Sequence, residues 1–275
     1  MKSDSMTFNR KKKYRIFISA DHGLAIVYFL QTQVVPALIY EDVDVILLTD
    51  DELVQKIGSR FGQPGLTIEG LRLKEVKNYL NSFRPSYQWW LNFFRRVGAS
   101  KKINTEALDS HVRQVEVEAT GKRMFFVDFI RLIVSILRNS RLARKWLVKK
   151  QMKFVPQNTG IYDDLFEKYH PDLVVASTPG WRLDRILVRE AAQRGIPTAS
   201  VIVGWDNPSS YSLNGGTVDW ITCWSDIQRE ELVKGSDWNP ARVNVGGIPS
   251  YDGYFEHKWL MEKDEYFKLH HLDPE

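Results

Sequence analysis

Residues 172–203 read DLVVASTPGWRLDRILVREAAQRGIPTASVIV. Asp172 to Ala176 is a short, apolar, β-favouring run, as expected of a buried strand. A small polar loop, Ser177 to Gly180, opens a helix over Trp181 to Arg194, and Gly195 stops it. Thr198 to Val203 is a second buried strand. Strand, helix and strand in this order predict parallel strands joined by a covering helix.

The same alternation extends in both directions. Upstream, Tyr14 to Ala20 reads as a buried strand and is followed by Asp21-His22-Gly23. Leu24 to Ile39 is apolar and too long for a strand, so it predicts a helix, with Pro36 as a kink or early stop. Val43 to Leu48 is a strand that ends at Thr49-Asp50-Asp51-Glu52, an acidic helix start. Leu66 to Leu73 is a third strand. Downstream, Val218 to Trp224 is a strand, Ser225 caps a helix running to Lys234 with Gly235 after it, and Arg242 to Val245 is a last short strand. Residues 74–170 break the pattern and are rich in helix formers. The expected fold class is α/β: a Rossmann-like parallel sheet with helices on both faces and a helical insertion at about 74–170. Ligands of such sheets bind beyond the carboxyl ends of the strands. The loops of interest are therefore Asp21–Gly23, Ser177–Trp181, Gly204–Ser210 and Gly246–Asp252.

The chain has 275 residues, 43% of them hydrophobic, enough for a sizeable core. Cys223 is the single cysteine, so no internal disulfide can form, which fits a reducing cytoplasm. The polar, basic lead-in of residues 1–13 lacks the apolar segment of a signal peptide. No run approaches 18 uncharged apolar residues. The expected location is cytoplasmic, with peripheral contact at the inner face of the membrane. The net charge of +4 hides a local excess: residues 81–102 carry five Lys/Arg and no acid, and residues 121–153 carry ten with only Asp128 opposing them. The remainder is acidic, so the positive charge is concentrated.

Three pieces of the second half occur in a telling order. Gly195-Ile196-Pro197 precedes a strand that ends in Gly204-Trp205-Asp206-Asn207. Val218 to Ser225 is a strand running into a helix cap. Val245, Gly247, Pro249 and Asp252 then fit a V-x-G-x-P-x-x-D element. This order resembles the N-terminal domain of glycosyltransferase-B enzymes, and is most similar to bacterial surface-polysaccharide transferases of the CDP-glycerol glycerophosphotransferase-like group. The resemblance covers 172–255 well, 14–50 loosely and 74–170 hardly. It implies an acceptor-side domain over 14–255, with 256–275 beginning a linker to a donor-binding second domain that lies elsewhere, on a continuation of the chain or a separate subunit. It implies no cofactor, but a nucleotide-activated sugar or CDP-glycerol as donor substrate, and a glycan or lipid-linked glycan as acceptor. The UDP-GlcNAc 2-epimerases are more distant relatives. An epimerase-like isomerase and a non-catalytic half that binds glycan or a partner are the alternatives.

The resemblance also implies a base on the loop after the first strand. His22 fits, because imidazole titrates near neutral pH, and Asp21 can orient or replace it. Gly23 lets backbone approach a ligand, although no GxGxxG fingerprint is present. Asp206 and Asn207 are suited to sugar hydroxyls and Trp205 to stacking; an Asx-type turn before Pro208 is the plainer reading. Ser177 and Thr178 open a helix that can hold an anion, or simply cap it. Gly247 and Pro249 sit at the interdomain hinge and within reach of a donor phosphate. Trp89, Trp90, Arg95 and Arg96 form one basic–aromatic block. In the other, Phe126, Ile130, Ile133 and Leu137 share a helical face and Arg131, Arg138 and Lys145 recur at spacing seven. Basic amphipathic helices bind anionic membrane surfaces; the same apolar stripes also serve as core. No nucleic-acid motif and no metal-ligand spacing occurs, so neither partner is expected.

Overall fold

The computed structural model describes residues 13–82, 85–119, 125–154, 159–205, 209–210, 212–258 and 260–273. The lead-in up to residue 12 and the candidate sugar ligands Asp206 and Asn207 lie outside the described residues. The strands are β1 (Tyr14–Ala20), β2 (Val43–Thr49), β3 (Leu66–Gly70), β4 (Leu173–Ala176), β5 (Thr198–Val201), β6 (Trp220–Cys223) and β7 (Val243–Val245). They form one sheet in the order β3-β2-β1-β4-β5-β6-β7, and every neighbouring pair is parallel. The fold is α/β and Rossmann-like.

The longer helices are α1 (Gly23–Leu30), α2 (Val34–Tyr40), α3 (Val54–Phe61), α4 (Leu73–Asn81), α5 (Pro85–Val97), α6 (Glu106–Glu118), α7 (Phe125–Asn139), α8 (Arg141–Phe154), α9 (Asp163–Tyr169), α10 (Arg185–Gln193) and α11 (Asp226–Gly235). Ile16 and Ile18 of β1, with Val45 and Leu47 of β2, pack beside Ala25, Phe29 and Val35 of α1 and α2. Phe17, Ile46 and Leu48, the residues between them, pack on the opposite face beside Val76, Phe166 and Leu187 of α4, α9 and α10. Both faces of the sheet are buried, which is why these strands read as unbroken apolar runs rather than as an alternation.

Two local departures have physical causes. The apolar stretch after β1 divides at residues 31–33, before Pro36. Thr32 Oγ1 donates to Tyr28 O at 2.5 Å and accepts from Val34 N at 3.2 Å, ending one helix and opening the next. Pro36 then sits in the first turn of α2, where a missing N–H costs nothing. Helix α10 begins at Arg185 rather than Trp181, because residues 181–184 form a turn. Ser225 caps α11 as expected, its hydroxyl accepting from Gln228 N at 3.4 Å.

The chain leaves β1 through β2 to β3 on one side, then crosses through α4–α9 to β4 on the other. The order therefore reverses between β1 and β4. At such a switch point ligands of open α/β sheets bind beyond the carboxyl ends of the two strands, at the loops that follow them. Those loops are Asp21–Gly23 and Ser177–Trp181.

Candidate functional site at the β1–β4 crevice

Asp21 follows β1 directly, and its side chain is only 1% exposed. Its Oδ1 lies 2.6 Å from His22 Nδ1, and its Oδ2 accepts from Arg182 Nε at 2.9 Å. Burial acts to raise the Asp21 pKa, but the His22 hydrogen bond and the Arg182 charge outweigh it and hold the carboxyl below its ordinary value. Asp21 is thus an ionised acceptor, which fixes the imidazole proton on Nδ1 and leaves Nε2 as the basic nitrogen. His22 is 18% exposed and Nε2 has no hydrogen-bond partner among the described residues. The extended backbone of His22 and its carbonyl, which accepts from Ile26 N at 3.1 Å, tie the residue to the start of α1. Arg182 is almost half exposed and carries positive charge to the rim.

Beneath this pair lies Asp184, with no exposure at all. Thr178 Oγ1 donates to it at 3.1 Å, and Ser177 Oγ and Ser19 Oγ lie 3.4 and 3.5 Å from its Oδ2. Burial, reinforced by the negative charge of Asp21, pushes Asp184 up to about 7. Ser177 Oγ also reaches Asp21 Oδ1 at 3.3 Å. The result is a continuous chain of hydrogen-bonding distances from His22 through Asp21 and Ser177 to Asp184. The two carboxyls are pushed apart, one held ionised and one favouring its proton, as expected of neighbouring acids in unlike environments.

The sequence offers Ser177 and Thr178 as anion ligands or as caps; the structure turns both inward. Each is buried, and its hydroxyl is occupied by Asp184. Thr178 Oγ1 also accepts from Trp181 N at 3.3 Å, so it caps the turn. Trp205 is 75% exposed after β5, while Gln228 Nε2 donates to its carbonyl at 2.9 Å and fixes its backbone. Its indole has no ring partner among the described residues. Gly247 adopts φ +80°, and Pro249 starts a short turn that carries Tyr251 edge-on to Trp224, with ring centres 6.2 Å apart. The Pro249–Tyr251 turn packs against α1, the helix that His22 begins, and burial, then the charge of Asp252, push Tyr28 of α1 up to about 12. Gly23, the first residue of α1, has open space on its Cβ side.

The basic–aromatic blocks are only partly surface. Trp89 stacks on Phe93 at 5.3 Å and Trp90 on Phe94 at 5.6 Å, and Phe93 packs against Val112, Ile130 and Val134 as the core of the insertion. Arg95 is buried, and Arg96 is half-buried. Arg138 is mostly buried as well, donating to Asp109 at 2.5 Å and to Val97 O at 3.0 Å. Arg95 and Arg138 do not form the open basic surface expected of them, because buried carbonyls and a carboxylate claim their donors. Arg131 is exposed but engaged by Glu116 at 2.8 and 3.0 Å. Phe126 turns outward, away from the buried Ile130 and Leu137. What α7 and α8 do expose is Phe129, Leu132 and Ile136, then Leu142 and Trp146 beside Lys145 and Lys149.

Arg182 and Asp184 escape the sequence reading. Their signal is the WRLDR segment, which places charge at the opening of a helix whose residues Arg185 to Ala191 are all buried. Among the described residues, no group of three or more His, Cys, Asp or Glu side chains is placed to hold a metal ion. None of the described helices alone is long and apolar enough to cross a membrane; α1 and α2 together are apolar, but they are bent by 42° and pack on the sheet. No protein-family model matches the chain, and no curated protein sequence does.

Proposed function

We propose that this chain is the acceptor-binding half of a glycosyltransferase or glycerophosphotransferase of the glycosyltransferase-B type, acting in surface-polysaccharide assembly. The observation that carries this reading is the Asp21–His22 pair at the switch point, with the His22 side chain partly exposed and its Nε2 unpartnered among the described residues. An acceptor hydroxyl placed against Nε2 gives up its proton to the imidazole as its oxygen attacks the donor's anomeric carbon, or the phosphorus of CDP-glycerol. The bond to the departing nucleotide breaks and the electron pair leaves with its phosphate. Asp21 stabilises the imidazolium so formed, and Arg182 offers charge to an anionic acceptor or to the leaving group. Trp205, at the end of β5, supplies a stacking face for a sugar ring. The donor binds chiefly to a second domain.

The exposed apolar residues of α7 and α8, flanked by lysines, support peripheral contact with an anionic membrane, where a lipid-linked acceptor resides. The complete gene product, incubated with UDP- and GDP-sugars and CDP-glycerol, is expected to release nucleotide only when a polysaccharide or lipid-linked acceptor is added. Absence of acceptor-dependent release with every donor counts against transfer.

A further inference from the structure

Helix α10 carries Arg185 and Arg189 one turn apart, so their side chains share a face. Both are buried, at 8% and 4% exposure, and so is Arg95 at the end of α5, at 4%. Arg95 and Arg189 both reach the segment Leu213–Gly216, and Arg185 lies close enough for its charge to be felt by each of them. Arg95 Nη1 donates to Leu213 O at 3.0 Å, and Arg189 Nη2 donates to Gly215 O at 2.7 Å. The Arg95 guanidinium lies so close to Gly215 that a Cβ there would meet its Cζ and Nε at 3.2 Å. Arg95 Nε, Arg189 Nε and Arg189 Nη1 are buried with no hydrogen-bond partner among the described residues.

No carboxylate forms an ion pair with any of the three among the described residues. Of the three, only Arg185 feels the Asp184 carboxyl, which burial inclines to keep its proton and which the hydroxyls of Ser177 and Thr178 already occupy. Burial first, and then the mutual repulsion of the cluster, lower Arg95 and Arg189 to about 9. Removing one cation from water without a counter-charge is costly, and three together cost more. Protein carbonyls satisfy one donor each on Arg95 and Arg189 and supply no negative charge. The missing component is an anion with several acceptor oxygens, and guanidinium forks match phosphate geometry.

We propose that Arg95, Arg185 and Arg189, between α5, α10 and the Leu213–Gly216 segment, form a binding site for a phosphate-class oxyanion. The ion neutralises the cluster, accepts from the unpartnered Nε and Nη1 donors, and locks the insertion helix α5 to the sheet-covering helix α10. Arg185, the most exposed of the three, is the side from which it enters. The proposal does not rest on the transfer reading.

The test is thermal unfolding of the full chain in sodium phosphate, sodium pyrophosphate and glycerol 3-phosphate, each against sodium chloride at equal ionic strength. A saturable rise of about 5 °C is expected from at least one phosphate species at concentrations far above its Kd. A rise with inorganic phosphate identifies the free ion as a sufficient ligand. A rise confined to the monoester identifies the phosphate group of a larger molecule. Arg189→Gln is expected to weaken the response at least about tenfold in midpoint concentration. Should that variant fail to fold, Arg185→Gln, at the more exposed edge, provides the same comparison. Shifts no larger than those in chloride, or variants that respond as the parent does, overturn the proposal.

Discussion

Replacing Asp184 with asparagine removes one titratable group from the centre of the site and leaves its shape. The parent carboxyl is fully buried, and burial with the Asp21 charge raises it from an ordinary 3.8 to about 7. In the unfolded chain it ionises near its ordinary value. As pH rises from about 4 to 7 the unfolded state therefore loses a proton that the folded state keeps, and stability falls. The contribution is fully present below the unfolded value and is lost as pH climbs through the folded one. At about 1.4 kcal/mol per pH unit, the interval from 3.8 to about 7 amounts to about 4 kcal/mol. Asp21 does not blur the window, because its carboxyl is held below its ordinary value and stays ionised throughout. An amide at 184 keeps an acceptor for Thr178 and Ser177 and has nothing to titrate. Urea unfolding at pH 5 and pH 8 is the assay. The parent is expected to lose about 2–3 kcal/mol more than Asp184→Asn over that interval. Parallel losses in the two proteins would refute the placement of a proton on Asp184.

Further perturbations probe other parts of the structure. Arg144 is buried and grips Asp237 through two contacts at 2.7 and 3.0 Å, so Asp237→Ala strands a buried cation; urea unfolding is expected to show a loss of about 3–5 kcal/mol. A loss below about 1 kcal/mol would show the pair to be dispensable. Gly180 has φ +78°, and a Cβ there would stand 2.1 Å from Gly216 N, so Gly180→Ala should cost more than about 2 kcal/mol, with wild-type stability excluding this close approach. Sedimentation with anionic vesicles is expected to carry down the parent chain, less so at raised salt, and to carry down less Trp146→Asp; equal recovery with neutral vesicles contradicts membrane contact through α8.

The sheet is legible in the sequence because its strands are buried on both faces. Runs such as VDVILL and DLVVA carry no alternation to confuse them with exposed strands, and their spacing by helices fixes the parallel arrangement. The position of His22 and Asp21 is legible for a related reason: the residues that follow a strand of such a sheet fall at its carboxyl edge. Ser177 and Thr178 mislead because a polar loop opening a helix looks the same whether its hydroxyls face a ligand or a buried acid. The acid in question, Asp184, lies seven and six residues further on, beyond local pattern. Arg95 and Arg138 mislead similarly. A basic run in an amphipathic segment reads as a solvated face, yet both side chains turn inward, held by Leu213 O and by Asp109. Long-range partners decided those orientations, and spacing along one helix cannot reveal them. The bend at Thr32 is a smaller case, in which a hydroxyl competing for backbone groups ended the helix before the proline did.

The most direct test of His22 as the base is the steady-state rate of acceptor-dependent nucleotide release by the complete gene product and by its His22→Gln variant. Circular dichroism and the unfolding midpoint serve to confirm that the variant remains folded. Gln keeps a polar side chain at the start of α1 but cannot take up a proton. The expected result is a fall of about a hundredfold or more in kcat, with the fold unchanged. A folded His22→Gln protein that turns over at the parent rate would contradict the assignment.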